Sequence, residues 1–346
     1  METLWFWLVG GMLIMYTILD GLDLGAGAMH LWLARTPTER RLILRSIGPV
    51  WDGNEVWLLA AGGTLFFAFP GLYASSFSGF YLPLMMVLWL LVLRGISIEF
   101  RAHVAGEIWA PFWDVVFCVA SALLALFLGV ALGNVVRGVP LNADGWFFEP
   151  LWTNFRVGAD TGILDWYTIA VGLAALAALA MHGALWVWLK TGDALGERAR
   201  RAARGLWGAV LGLALLITAL TFIVQPLVPQ RLAEAPGGYV FALLAMAGLA
   251  VAWRAIRGHR PRTAFLGSAA YLAGMLASVA FGLFPYVLPA TTDPAYSLTT
   301  HAVAASSSSL RSGLAWWIPG MVIACLYIAF IYRHFAGRAV VEGEGY

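Results

Sequence analysis

The feature that most constrains this chain is a series of long apolar runs. A stretch of about 20 residues, at about 1.5 Å per residue, crosses the roughly 30 Å hydrocarbon layer of a membrane, and there it must satisfy its own backbone as a helix. Nine such runs are predicted, at about 4–30, 54–70, 75–97, 114–134, 163–188, 205–226, 238–256, 263–286 and 313–333. Only Pro70-Gly71 separates the second from the third, which predicts a tight hairpin. Of the 346 residues, 61% are hydrophobic and 12% charged, against roughly 25% charged in soluble domains. The expected fold is therefore all-α: a polytopic membrane protein of about nine transmembrane helices, with residues 1–346 forming one transmembrane domain.

Other classes fall away quickly. A net charge of +2 without a clustered basic surface excludes a nucleic-acid partner. Cys118 and Cys325 each sit alone in an apolar run, so they read as small hydrophobes rather than a disulfide or metal framework. The N-terminal METLWFWLVGG lacks the basic leader of a cleavable signal and reads as the first span.

Loop charges set the orientation, because cytoplasmic loops are enriched in Lys and Arg. Arg35, Arg40, Arg41 and Arg45 fall on one side. So do Arg94 and Arg101, the group from Lys190 to Arg204, the group from Arg254 to Arg262, and Arg333 and Arg338. Together they make 17 of the 21 basic residues, and only Arg137, Arg156, Arg231 and Arg311 lie opposite. The alternation predicts an outer N-terminus and a cytoplasmic C-terminus, with the membrane itself as a partner.

The polar residues can then be placed by depth. Asp20 and Asp23 are three apart and share a helix face on the cytoplasmic half of the first span. After the basic loop, Pro49 and Asp52 mark a helix start, and Glu55 follows at the spacing of a capping box. Arg94 stands at the cytoplasmic end of the third span as a counter-ion, and Glu99 and Arg101 are available to each other. Three readings remain open. Asp52 and Glu55 can be a helix cap, the four carboxyl groups can be an ion cluster tying helices together, or they can line a wet proton path.

The remaining polar segments are less informative. The 95–114 connection reads as an interfacial segment with Asp114 capping the fourth span, and the 133–160 loop as an aromatic anchor. RARRAARGLW is a basic amphipathic lead into the sixth span, and Ser306–Ser309 can satisfy backbone before the ninth. Of six histidines only His30 and His182 lie near or within a span, and no Cys-x-x-Cys-His is present. Neither a resident metal nor a haem ligated wholly by this chain is expected. Met12, Met15, Met85 and Met86 read as packing. No internal repeat is convincing, which weighs against a secondary transporter, although a proton-coupled transporter and a purely structural assembly subunit remain rival readings.

Several strings together resemble a known family. DGLDLGAG at Asp20–Gly27, TERR at Thr38–Arg41, SIGPVWDGNEVWLLAAGG at Ser46–Gly63, AFPGLYASSFSGFYLPL at Ala68–Leu84, GNVVRGVP at Gly133–Pro140 and FPYVLP at Phe284–Pro289 occur in the order and spacing of subunit II of the bacterial cytochrome bd quinol oxidases. The resemblance implies two four-helix bundles with one further helix, in a multi-pass protein of the bacterial inner membrane. It implies a partner, subunit I, that holds two haems b and one haem d, with quinol and O2 as substrates of the complex and no catalytic residue in this chain. Small single-span accessory subunits and a structural quinone bound in this subunit are further expectations. By motif, proton-uptake carboxyl groups fall on Asp23 and Asp52, with Trp51 and Asn54 shaping the water path and Asp20, Glu55 and Arg94 beside them. The chain carries Glu at 55 where some relatives have Gln, and its outer loops are short.

Overall fold

The structure is a computed structural model and describes residues 1–340 apart from 105, 106 and 159. Those three fall within the two polar connections at 95–114 and 133–160, so that part of each expectation lies outside the described residues. Thirteen α-helices are present among the described residues: α1 Glu2–Ala28, α2 His30–Leu33, α3 Pro37–Ile47, α4 Trp51–Ala68, α5 Pro70–Gly79, α6 Tyr81–Phe100, α7 Trp109–Arg137, α8 Trp166–Lys190, α9 Asp193–Val224, α10 Leu227–Glu234, α11 Tyr239–Arg257, α12 Pro261–Leu283 and α13 Ser307–His334.

Eight of them, α1, α6, α7, α8, α9, α11, α12 and α13, are long and apolar enough to cross a membrane. α4 occupies the position of the remaining expected span. Its 18 residues reach about 27 Å at the helical rise, but Asp52, Asn54 and Glu55 lower the apolarity of its first turns. The expected two-residue hairpin at Pro70-Gly71 is replaced by a separate helix, α5. Pro70 sits at its first position, where a missing N–H costs nothing and a fixed φ favours helix, so Pro-Gly starts a helix here instead of reversing the chain.

Local signals account for other helix starts. Thr36 caps α3 by accepting from the Glu39 N–H at 3.2 Å, while Glu39 accepts from the Thr36 N–H at 3.3 Å. Asp165 caps α8 by accepting from the N–H groups of Tyr167 and Thr168 at 2.7 and 2.8 Å. Ser306 caps α13, as the serine run suggested.

α1 runs through the middle of the assembly and packs on α4, α7, α8 and α12, while α11 and α12 pair and α9 lies along α8. α1 and α8 cross with their backbones in close approach. A Cβ built on Gly25 would stand 1.9 Å from the Leu179 carbonyl, and one on Gly183 would stand 2.1 Å from the Ala26 nitrogen. This crossing fixes the lower half of α1, two residues from Asp23.

The loops sort to two ends as the charge alternation requires. At the basic end Arg198 pairs with Glu39 at 2.5 Å, Arg200 reaches the Ile256 carbonyl, Arg45 holds the Val340 carbonyl at 2.8 Å, and Lys190 holds the carbonyls of Phe335 and Gly337. At the other end a two-stranded antiparallel hairpin, β1 Tyr286–Leu288 with β2 Leu298–Thr299, follows α12. Residues 139 and 290 bridge beside it. Gly138, at φ +98°, makes the turn into that bridge, and a Cβ there would lie 2.9 Å from the Pro289 carbonyl.

Candidate functional site

The buried polar centre is assembled from four helices. α1 supplies Tyr16, Asp20 and Asp23, spaced four and three apart and therefore on one face. α4 supplies Trp51, Asn54 and Glu55, α6 supplies Arg94, and α13 supplies Tyr332. Asp20, Asp23, Asn54 and Arg94 are all fully buried.

One guanidinium nitrogen carries the centre. Arg94 Nη2 donates to Asp20 Oδ1 at 2.7 Å and stands 3.3 Å from Glu55 Oε2. The guanidinium lies 5.4 Å from the ring centroid of Trp51, a cation–π contact. Asp23 Oδ2 accepts from Asn54 Nδ2 at 2.7 Å, and Asn54 Oδ1 accepts from the Tyr332 hydroxyl at 3.0 Å. Five polar atoms of the centre are buried without a hydrogen-bond partner, Asp20 Oδ2, Asp23 Oδ1, Arg94 Nε and Nη1, and the Tyr16 hydroxyl, although the Tyr16 hydroxyl lies near enough to Asp20 to interact with it. Buried polar groups that the protein leaves unpaired call for a partner such as water, so the cluster is only partly satisfied by protein atoms.

The expected residues are thus largely brought together. Asp20, Asp23, Asn54, Glu55, Arg94 and Trp51 form one cluster. Asp52 does not join it directly and is exposed at the start of α4. The capping reading of Asp52 is not what the helix uses: the cap position is Val50, without a side-chain cap bond, and Asp52 lies inside the first turn. Glu55 correspondingly turns to Arg94.

Asp114 is also not a helix cap. It is buried inside α7, accepting from Arg101 Nε at 2.6 Å, Arg40 Nη1 at 3.1 Å and His30 Nε2 at 2.8 Å. The hub ties the third connection to α2 and α3, and it takes Arg101 as its own partner. Burial lowers the affinity of His30 for a proton, against the pull of Asp114.

Two residues of the centre escaped sequence reading. Tyr16 was legible in principle, one turn before Asp20 on α1. Tyr332 comes from 278 residues beyond Asn54, and no local pattern reports that contact.

A second buried cluster lies at the opposite end. Arg137 closes α7 and donates to the carbonyls of Gly138 and Gly162 at 3.0 Å each, to Asn134 Oδ1 at 2.8 Å, and to Asp165 and Glu149. Every nitrogen of its guanidinium is engaged, and the cluster clamps the loop between α7 and α8 onto the ends of those helices. Burial raises the Glu149 carboxyl above its ordinary value, against the attraction of Arg137.

For haem the fit is poor. Both ring nitrogens of His182 stand within hydrogen-bond distance of protein atoms, Ser268 Oγ at 2.7 Å and the Ile18 carbonyl at 3.0 Å, and the ring stacks on Phe265. His30 is held by Asp114. His30 Nδ1 is buried without a hydrogen-bond partner, but its ring packs edge-on against Phe117 rather than facing a second histidine.

Comparison with known proteins decides the family. The model of cytochrome bd terminal oxidase subunit II matches residues 1–335. The chain belongs to that family. It is 30% identical to "Cytochrome bd-I ubiquinol oxidase subunit 2" of Escherichia coli K12, covering 98% of this chain and 95% of that one. It is 31% identical to "Cytochrome bd ubiquinol oxidase subunit 2" of Bacillus subtilis, over 90% of this chain and 88% of that one. "Probable cytochrome oxidase subunit 2" of Haemophilus influenzae is likewise 31% identical, over 97% and 94%. The bd oxidase structure from Geobacillus thermodenitrificans superposes with a TM-score of 0.75 at 19% identity, covering 96% of this chain and 98% of its own, and so shares the fold. These relatives of subunit II are parts of a respiratory oxidoreductase, and the multi-pass helical architecture agrees with that membership.

Proposed function

We propose that this chain is the haem-free subunit II of a bd-type quinol:oxygen oxidoreductase in the bacterial inner membrane, and that it supplies a cytoplasmic proton path to the oxygen-reducing centre of its partner, subunit I. The observation that carries the reading is the centre around Arg94: two fully buried carboxyl groups on α1, each with an unpartnered oxygen, one helix away from carboxyl groups open to solvent on α4. The two haems b and the haem d, when bound in subunit I, supply electron transfer and oxygen chemistry.

This chain's residues hold and pass protons. Asp52, exposed at the basic end, takes a proton from water, and Glu55, one turn on, receives it. Glu55 and Asp20 flank the same Nη2 of Arg94, so a proton leaving one carboxyl is received beside the other. Asp23 follows on the same face of α1, oriented by Asn54 and Tyr332. Two carboxyl groups, Asp20 and Glu55, share one guanidinium nitrogen, so protons can be held and released while Arg94 keeps a counter-charge. Electron arrival in a low-dielectric interior favours compensating proton uptake, which gives the path its direction.

A structural quinone, as the family resemblance implies, has a suitable wall in the apolar cleft between α6 and α7. The cleft is lined by residues such as Phe80, Leu84, Val87, Phe127 and Ile163.

The test is oxygen consumption by the assembled complex carrying Asp23→Asn. Quinol-driven turnover per haem is expected to fall while haem content stays at the wild-type level. Unchanged turnover overturns the path, and loss of haem and assembly would favour a purely structural cluster.

A further inference from the structure

A second charged site lies at the basic end, outside the proton centre and the outer clamp. Three separate segments build a cleft of about 410 Å3 there: the end of α8 at Leu189, the start of α12 with Arg260, Arg262 and Thr263, and the tail after α13 with Gly337 and Arg338. The tail is fixed in place. Lys190 holds the carbonyls of Phe335 and Gly337, and the Ala339 N–H donates to the Lys190 carbonyl at 2.8 Å.

The three arginines differ from their neighbours. Arg198 and Arg200 pair with Glu39 and Glu197, and Arg45 holds the Val340 carbonyl. Among the described residues no carboxylate pairs with Arg260, Arg262 or Arg338, and all three are exposed. The first-turn N–H groups of Arg262 and Thr263 have no acceptor within α12, and the dipole of this 23-residue helix favours an anion at the same point.

The geometry points to this cleft as a binding site for the phosphate of an anionic phospholipid headgroup in the cytoplasmic leaflet. A free phosphate shares the headgroup chemistry, but the surroundings favour the lipid. Leu266, one turn after Arg262 on the same helical face, is 66% exposed, and α12 continues from there as a membrane-length apolar helix. Leu189 adds an apolar wall to the cleft itself. Cationic groups sit above an apolar surface, which is the arrangement that a headgroup and its acyl chains match. The bound lipid bridges α8, α12 and the tail, fastening a chain end to the helix bundle.

The experiment is native mass spectrometry of the whole detergent-solubilised complex, titrated with phosphatidylglycerol, phosphatidylcholine or inorganic phosphate. Arg262→Gln/Arg338→Gln is compared with Arg201→Gln/Arg204→Gln, which removes the same charge from α9. Wild type and the α9 control are expected to retain a phosphatidylglycerol that phosphatidylcholine does not replace. The cleft variant binds it about 10- to 30-fold more weakly, as expected for two lost cations at about 1 kcal/mol each. An unchanged thermal midpoint in lipid-free detergent shows that the variant is folded. Equal retention by the cleft variant overturns the site. Displacement of the lipid by inorganic phosphate at matched concentration overturns the lipid assignment in favour of a soluble anion.

Discussion

Two buried guanidiniums, at opposite ends of the same helix bundle, are treated in opposite ways. Arg137 has all its nitrogens engaged, by two carbonyls, an amide and two carboxyl groups, and the elements it joins are a loop and two helix ends. Arg94 uses one nitrogen for two carboxyl groups and leaves Nε and Nη1 unpartnered among buried atoms. A guanidinium whose donors are all met holds its partners rigidly even though Glu149 Oε2 beside it lacks one, whereas the two unmet donors of Arg94 need a further partner such as water. The same residue type therefore serves as a clamp at one end and as the counter-charge of a partly satisfied carboxyl cluster at the other. Burial alone does not separate the two roles; the count of satisfied donors does.

The largest effect expected from this contrast is at the clamp. Arg137→Gln leaves Asp165 and Glu149 buried without their cation, and removing one partner of a buried ion pair costs about 3–5 kcal/mol. The complex should show a clearly lowered thermal midpoint and reduced yield, while the molecules that do fold turn over normally per haem. A variant as stable as wild type but slow in oxygen reduction would exchange the roles of the two clusters.

Asp23→Asn should behave in the opposite manner. Asn keeps the shape and can still engage Asn54, so the thermal midpoint should hold. Loss of a proton-relaying group is expected to lower quinol-driven oxygen consumption by about 100-fold, within the range for positioned acid–base groups. A matched loss of stability and turnover would make the Arg94 centre a second clamp.

Asp52→Asn sharpens the same contrast at its solvent edge. Asp52 is exposed and Glu55 is itself 23% exposed, so water can deliver protons to Glu55 when Asp52 is neutral. Turnover should fall by about tenfold or less, with the deficit shrinking as pH is lowered and hydronium becomes more abundant. A deficit larger than that of Asp23→Asn would place the bottleneck at the surface.

Legibility in the sequence followed the range of the interactions. The apolar runs and alternating charges carried the all-α membrane class and the sorting of loops to two ends, because both are imposed segment by segment by the bilayer. The face shared by Asp20 and Asp23 was equally local. Three features depended on context instead. Pro70-Gly71 resembles a turn, yet Pro70 at a helical first position starts α5. Asp52 has a cap's spacing, but the cap position falls two residues earlier, at Val50, and Asp52 is left exposed in the first turn. Asp114, Arg137 and Tyr332 gain their meaning from partners 12 to 278 residues away, and short-range spacing carries no trace of these.

The smallest effect concerns Glu149, the member of the clamp that burial disfavours as an anion. Its carboxyl is raised from the ordinary 4.5 by burial, with Arg137 pulling the other way. The folded state thus holds this proton more tightly than the unfolded chain does. The corresponding stability is fully present below about pH 4.5 and is lost as pH rises through the raised folded value, with a slope of at most about 1.4 kcal/mol per pH unit. Glu149→Gln cannot titrate, so subtracting its thermal stability from that of wild type isolates the group. The advantage of wild type over the variant should be greatest near pH 4.5 and shrink toward pH 8. If the advantage instead grows with pH, Glu149 is a stabilised anion whose attraction to Arg137 exceeds its burial penalty, and the clamp then draws its strength from two full ion pairs.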